Sequence, residues 1–446
     1  MMSVHRPRYS GVLCCVVLLF AQSRPTSSFA ADEKEDWTPL FNGKDLTGWS
    51  QVNGSEATWS VENGMIACTG KPICILRTER QYENFILELE WRHLRAKGNS
   101  GVFVASDAIT ARGQPFSRAI ECQVLDGTES ENYTSDGDVF AIHGAVMKPD
   151  RPHPGGWMRC LPSEKRSKPS PEWNHYRITF VDGALKLAVN GKEVSGGSEI
   201  RPRKGYICLE SEGSPVNFRN LRLRELPASS TPLTAEQVAT LDEGFRTLYN
   251  GLDFAGWAVP KAAEAHWRAD DWRIAFDGAA EGISSLRAHG NFELIVDWRW
   301  KSPAKKKTVP ALTKSGEAEV GADGKPKMIE VDDAGESGIS LRGSSLATID
   351  LSSSPLGSGG LPGYAQAAAT PKEARSSYLP RVRADTPPGE WNRFAIRLVQ
   401  DTVRVELNGE VVIEKAALTG LPGRGPILLG KRGGAIEFAN VYVKDL

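Results

Sequence analysis

Glu121, Gln123 and Asp126 fall within AIECQVLDG, residues 119–127. If that segment is a strand, its period of two turns Glu121 and Gln123 to one face, with Asp126 at the strand end. A second segment, LESEG at 209–213, presents Glu210 and Glu212 on one face. Asn99 of GNSG adds an amide and Arg219 of FRN a cation. Carboxylates beside amides can move protons or hold a cation. An all-oxygen donor set suits Ca, Mg or Mn rather than zinc, and the sequence has no HExxH or CxxC motif. The long Pro-rich stretch 136–171 contributes His143, Trp157 and Arg159. Long loops that keep such residues are often functional.

The elements that must position these residues are written twice. FNGKDLTGW at 41–49 returns as YNGLDFAGW at 249–257, and FILELEWR at 85–92 as FELIVDWRW at 292–300. GNSGVFV (98–104) returns as GESGISLRG (335–343), and EWNHYRITFVDGALKLAVNGKEV (172–194) as EWNRFAIRLVQDTVRVELNGEVV (390–412). The closing block 205–226 returns at 425–446. Ordered blocks at a period of about 200 residues mean tandem domains, not a solenoid. The blocks alternate apolar with charged residues, as half-buried strands do. Asn190-Gly191 and Asn408-Gly409 supply the positive φ values of tight hairpin turns. The reading is all-β: two tandem jelly-roll β-sandwiches, at 36–227 and 243–446, joined by a linker at 228–242. The best helix pattern, LTAEQVATLDEGF at 233–245 with Thr234 as cap, falls at that linker. Trp49 and Trp257 read as buried structural residues. The Lys-rich insertion 301–334 of the second copy reads as a mobile surface loop.

A duplicated fold makes each copy a control for the other. The framework matches; the polar positions do not. Aligned by position, Glu121 faces Leu346, Gln123 faces Thr348 and Asp126 faces Leu351. Glu210 and Glu212 face Gly430 and Arg432, Asn99 faces Glu336, Arg219 faces Ala439, and His175 faces Arg393 at what reads as a surface position. A site is therefore expected in the first copy only, with the second, stripped of these carboxylates, left for binding or structure.

The net charge of −1 gives no electrostatic footprint for nucleic acid. His5, Arg6 and Arg8, the apolar core GVLCCVVLLFA and the small residues of Ser28-Phe29-Ala30 read as an export signal, residues 1–30, cleaved to give a periplasmic or extracellular protein. The apolar core is too short to span a bilayer. Five cysteines remain after cleavage; an odd number is no disulfide scaffold, although Cys68 and Cys74 could pair across a hairpin.

The blocks FNGKDLTGW, GNSGVFV, ECQVLD, EWN, VNGKEV and EGSPVNFRNLRLREL resemble the DUF1080 family, the 3-keto-disaccharide hydrolase domain, whose fold is similar to concanavalin A-like lectins and glucanases. The resemblance covers both copies. It implies cleavage of 3-keto-glycosides, made when a separate oxidoreductase oxidises a sugar at C3. The family's ExQxxD-like strand falls on Glu121, Gln123 and Asp126. Its LQxHG element falls on Leu209–Gly213, where Glu210 stands for the Gln and Glu212 for the His. The implied reaction is elimination followed by hydration, with Glu121 as base or metal ligand and Asp126 as second carboxylate and tentative co-ligand. Asn99, Gln123, Glu210, Glu212 and Arg219 are then expected around the sugar, with His143 as candidate acid, Trp157 and Arg159 as a candidate sugar platform, and no nucleotide cofactor. Two other readings use the same residues: a lectin-like module without chemistry, and a conventional two-carboxylate glycosidase.

Overall fold

The structure is a computed structural model that describes residues 36–127 and 136–446. The signal expected at 1–30 lies outside the described residues. Trp37–Leu446 forms one compact unit. Among the described residues no helix is long and apolar enough to cross a membrane.

The protein is nearly all β, in two sandwiches of antiparallel sheets. Alternation dictates the layers. Along Asn174–Val181 and Ala184–Val189 buried and half-buried residues alternate at every step, and Thr402–Leu407 repeats the pattern in the second copy. Asn190 and Gly191 (φ 47° and 84°) and Asn408 and Gly409 (φ 55° and 88°) close these hairpins in the left-handed region, which primed turns require. In the first sandwich a nine-stranded sheet faces a seven-stranded one. Trp91, Tyr176, Phe180 and Phe218 from the first pack against Leu76, Val102, Ile120, Val124 and Leu209 from the second. Truncating such a ring to alanine costs about 3–5 kcal/mol.

The repeated opening block has one job in both places. Asn42 accepts from the Lys44 and Asp45 amides (2.7 and 3.0 Å), as Asn250 does from Leu252 and Asp253 (2.9 and 3.0 Å). The indoles of Trp49 and Trp257 are buried, each donating to a backbone carbonyl, of Leu40 or Leu248, at 2.8 Å.

Three segments differ from the sequence reading. Residues 233–245 hold only a 3-10 turn, Ala235–Gln237. Ala239 is buried while Leu241 is 64% exposed, so the segment has no helical apolar stripe to bury. The insertion of the second copy is an ordered hairpin, Lys305–Pro310 paired with Met328–Asp333, whose lysines meet facing acids: Lys306–Asp332 at 2.9 Å and Lys307–Asp333 at 3.1 Å. The stretch 136–171 contributes strands Val139–Ile142, Val146–Pro149 and Arg159–Cys160. Cys68 and Cys74 are buried free thiols.

The two sandwiches share a built interface. The segment that links strands Asn99–Ser106 and Ala119–Leu125 lies on the outer face of the second copy's eight-stranded sheet. Asp297, fully buried there, accepts from Arg393 (2.6 and 2.8 Å), the Gly113 amide (2.7 Å) and Asn440 (2.7 Å). Arg393 also donates to the Thr110 carbonyl at 3.0 Å, and Thr110 meets the Tyr442 hydroxyl at 2.9 Å. Arg393, expected at a surface position, is therefore an interface residue, whereas His175, its partner in the alignment, is half-exposed 3.9 Å from Glu88.

Candidate active site

The seven-stranded sheet runs Arg159–Cys160, Val139–Ile142, Ala119–Leu125, Asn99–Ser106, Tyr206–Ser211, Cys74–Thr78, Trp49–Val52. Phe103 stands opposite Glu121, Gly101 opposite Gln123 and Phe140 opposite Glu121 on the other side. Leu209 pairs with Val102 and points into the core, so Glu210 turns outward beside Gly101. The outer face has two halves. Val52, Ile75, Phe103, Ala119, Tyr206 and Cys208 form an apolar half, packed against Ile295 and Tyr442 of the second domain. The polar half carries the carboxylates.

A side chain at position 101 would collide with both. The site of a Cβ there lies 2.8 Å from Glu121 Oε1 and 2.8 Å from Glu210 Oε2. Glycine lets the two carboxyls converge over one strand. Both are buried, at 5% and 1% exposure, and among the described residues Glu210 Oε2 has no hydrogen-bond partner. Burial, then the neighbouring carboxylates, holds each well above the usual carboxylate range: Glu212 beside Glu121, and Glu121 and Glu212 beside Glu210. Arg159 opposes the rise at Glu121. Two carboxyls so placed cannot both ionise readily.

Amides order the rim. Gln123 Nε2 donates to Asn99 Oδ1 at 2.5 Å and to the Ser100 carbonyl at 3.2 Å. Asn99 Nδ2 in turn donates to Glu212 Oε2. Ser100 Oγ donates to the Glu210 carbonyl at 2.7 Å, tying the two strands together. Arg159, buried, pairs with Asp138 at 3.1 Å and lies 3.9 Å over the Phe140 ring. Trp157, two residues earlier, is 49% exposed and stacks on His153 with centroids 4.5 Å apart.

Thus Glu121, Gln123, Asn99, Glu210 and Glu212 come together, with Arg159 acting on Glu121. Asp126, Arg219 and His143 do not join them. Asp126 breaks the alternation after Leu125 and serves the turn at the end of the sandwich, accepting from the Lys97 amide at 3.2 Å while its own amide donates to Gly98 at 2.9 Å. Arg219 belongs to the nine-stranded sheet, donating to Glu90 at 2.5 Å and stacking 3.8 Å over Trp173. His143 sits in a turn at φ 51°, its ring 6.4 Å from that of Phe116. Burial pulls its imidazole down to about 4, so it is uncharged at neutral pH. The cation expected on Glu121 and Asp126 does not fit, because the two carboxylates serve different places. Among the described residues no three His, Cys, Asp or Glu side chains gather as a ligand set.

Sequence reasoning missed Gly101 and Asp138. The signal for Gly101 was present: the glycine recurs as Gly338 in the second copy. The register of the copies also needs correction. Ser340 pairs with Thr348, Gly338 with Asp350 and Glu336 with Ser352. Glu121 therefore corresponds to Thr348 and Gln123 to Asp350, two residues on from the sequence alignment. The second copy is not stripped of carboxylates: Asp350 and Glu336 lie 3.0 and 3.6 Å from Lys431. Gly430 replaces Glu210 at φ +81°, where a side chain would meet Trp267 at 2.7 Å. Thr348 and Gly430 thus stand where the first copy has its buried acid pair, and the lysine-paired acids of this copy take the places of Gln123 and Asn99.

Tandem antiparallel β-sandwiches, the first with a carboxyl-lined outer sheet face, define the class of protein. Within it, the chain belongs to the family of the 3-keto-alpha-glucoside-1,2-lyase-like domain, matched at residues 36–224 and again at 244–444. A putative glycosyl hydrolase from Parabacteroides distasonis is 25% identical over 43% of this chain and 94% of its own, with a TM-score of 0.35. The carbohydrate-binding module CBM66 of Bacillus subtilis is 11% identical over 40% of this chain and 96% of its own, TM-score 0.30. The kappa-carrageenase of Pseudoalteromonas carrageenovora is 12% identical over 44% and 98%, TM-score 0.30. No curated protein matches the chain.

Proposed function

We propose that the first domain cleaves 3-keto-glycosides by elimination and hydration, acting outside the cytoplasm on sugars that an oxidoreductase has oxidised at C3. The observation that carries this reading is the convergence of Glu121 and Glu210 over Gly101, buried and too close to share two negative charges. One partner is then a base and the other an acid at the same pH. Arg159 favours the ionised form of Glu121, while Glu210, deeper and with an unpartnered oxygen, keeps the proton.

The ketone acidifies the hydrogen on C2. Glu121 removes that proton, the C1=C2 bond forms, and the bond from C1 to the leaving oxygen breaks. Glu210 gives its proton to that oxygen. Water then adds to C1, its proton returning to Glu210, and C2 recovers a proton from Glu121. The sum is hydrolysis, with both carboxyls restored. Gln123 Nε2 donates to Asn99 and to the Ser100 carbonyl, so Gln123 positions Asn99 and, through it, Glu212. Trp157 offers an exposed face for a ring. No step is assigned to a cation.

The second reading, a conventional glycosidase, is constrained by the same geometry. The two carboxylate oxygens lie at most about 5.6 Å apart, twice the 2.8 Å of each from one point. That favours a retaining pair, with carboxyls about 5–5.5 Å apart, over an inverting one at about 6.5–9.5 Å. The test is turnover of a 3-keto-glucoside beside its unoxidised parent in D2O. Elimination predicts that only the keto sugar turns over, with deuterium at C2 of the product, and that Glu121→Gln abolishes both. Turnover of the parent sugar without label at C2 would replace this reading by the glycosidase one. Binding without turnover of either would leave a lectin-like module.

A further inference from the structure

The face of the second domain that corresponds to the carboxylate site is not empty ground. The hairpin Lys305–Pro310/Met328–Asp333, an insertion the first copy lacks, stands beside it. Together with the segment around Ser353 and Gln366 it walls a cavity of about 400 Å³, within the usual size of small-molecule sites (about 300–1,000 Å³). We propose that this cavity is a non-catalytic binding site for a neutral, hydroxyl-rich ligand of the sugar type.

The lining selects the chemistry. Its cations are matched by acids: Lys307 with Asp333 at 3.1 Å, and Lys431 with Asp350 at 3.0 Å and Glu336 at 3.6 Å. Among the described residues that line it, no cation is left over to hold an anionic ligand. The carboxylates are salt-bridged, unlike the buried pair of the first domain, so none is poised as a base. Paired lysine and carboxylate groups, three consecutive serines (352–354) and the Gln366 amide offer donors and acceptors close together. A vicinal diol satisfies such a surface because each hydroxyl both donates and accepts. Val309, Val331 and Pro355 supply an apolar wall for C–H groups. Among the described residues no aromatic ring lines the cavity, which disfavours a flat aromatic ligand. The inference shares with the hydrolase reading only the sugar class of ligand and does not rest on its chemistry.

The test uses the full chain and three neutral probes, maltopentaose, cellopentaose and xylopentaose, with polygalacturonate oligomers as an anionic control. Binding is followed by saturation-transfer NMR and calorimetry. At least one neutral probe is expected to bind. Ser353→Trp, which fills the cavity, should weaken it at least tenfold, and Lys431→Met should weaken it too. Both should leave the melting temperature and the turnover of a 3-keto-glucoside unchanged. Glu121→Gln should do the reverse, so the two readings fail separately. The proposal is overturned if no neutral probe binds, if only the anionic oligomer binds, or if both cavity variants, folded as the wild type, bind as the wild type does.

Discussion

Glu121 and Glu210 stand on the two strands that flank Gly101, and each sends one carboxylate oxygen to 2.8 Å from where a Cβ at that glycine would be. The glycine is what permits the pair. Its other close neighbour, Phe103, is 3.0 Å from the same point and belongs to the apolar cluster that meets the second domain. The acid pair and the domain interface therefore share one strand.

Gly101→Ala should separate the carboxyls. Overpacking of this kind costs about 1–3 kcal/mol, so the variant should still fold. Its turnover of a 3-keto-glucoside should fall at least a hundredfold, and the pH–rate profile should lose the limb that reports the raised carboxyl. Unchanged kinetics in a folded variant would show that the pair is not the catalytic unit.

Glu210→Gln should stabilise the protein at high pH and abolish turnover. The sign follows from proton linkage. Glu210 holds its proton more tightly folded than unfolded, so between the unfolded pKa of about 4.3 and the raised folded value the native state binds more protons, and stability falls as pH rises. Glutamine has no such penalty. The gap in urea-unfolding free energy between variant and wild type should be near zero below pH 4 and grow to about 1–3 kcal/mol by pH 8. A gap independent of pH would contradict the buried, protonated carboxyl.

Asp297→Ala should strike the domain interface. It leaves the partly buried Arg393 without its acid and removes the acceptor for Gly113 and Asn440. Losing one member of a buried charge pair costs about 3–5 kcal/mol. Calorimetry should show the melting of the two sandwiches pulled apart into separate transitions. A single transition at the wild-type temperature would mean that the interface contributes little.

Trp157→Ala should leave stability within about 0.5 kcal/mol, as exposed substitutions do. If the ring is a sugar platform, KM for the keto-glucoside rises several-fold while kcat holds. An unchanged KM would assign Trp157 to its stack on His153 alone.

Much of the molecule could be read from residue order. Alternation along 174–189 and 392–407 and the Asn-Gly turns specify hairpins locally, because strand period and positive φ are properties of a few adjacent residues. The repeat specified two copies of one sandwich, and the contrast between copies drew attention to Glu121, Gln123, Glu210 and Glu212. The helix at 233–245 failed because propensity without an apolar stripe gives nothing to bury. The Lys-rich insertion was misread because its acids lie across the hairpin, not beside the lysines in sequence.

What the sequence determined by itself, then, was the period, the turns, the duplication and which strands carry acids. What only the tertiary structure decided was which acids meet. Asp126 is three residues from Gln123 yet serves the end of the sandwich, while Glu210, far along the chain, closes on Glu121 over Gly101. Strand neighbours are set by sheet order and register, and a slip of a residue or two moves a side chain to another face or another partner. The copies show this directly: Glu121 corresponds to Thr348 only once Ser340 and Phe103 are seen to hold the same place in the ladder. The burial that raises both carboxyls, and the second domain that covers the apolar half of their sheet, exist only when strands distant in sequence are packed together.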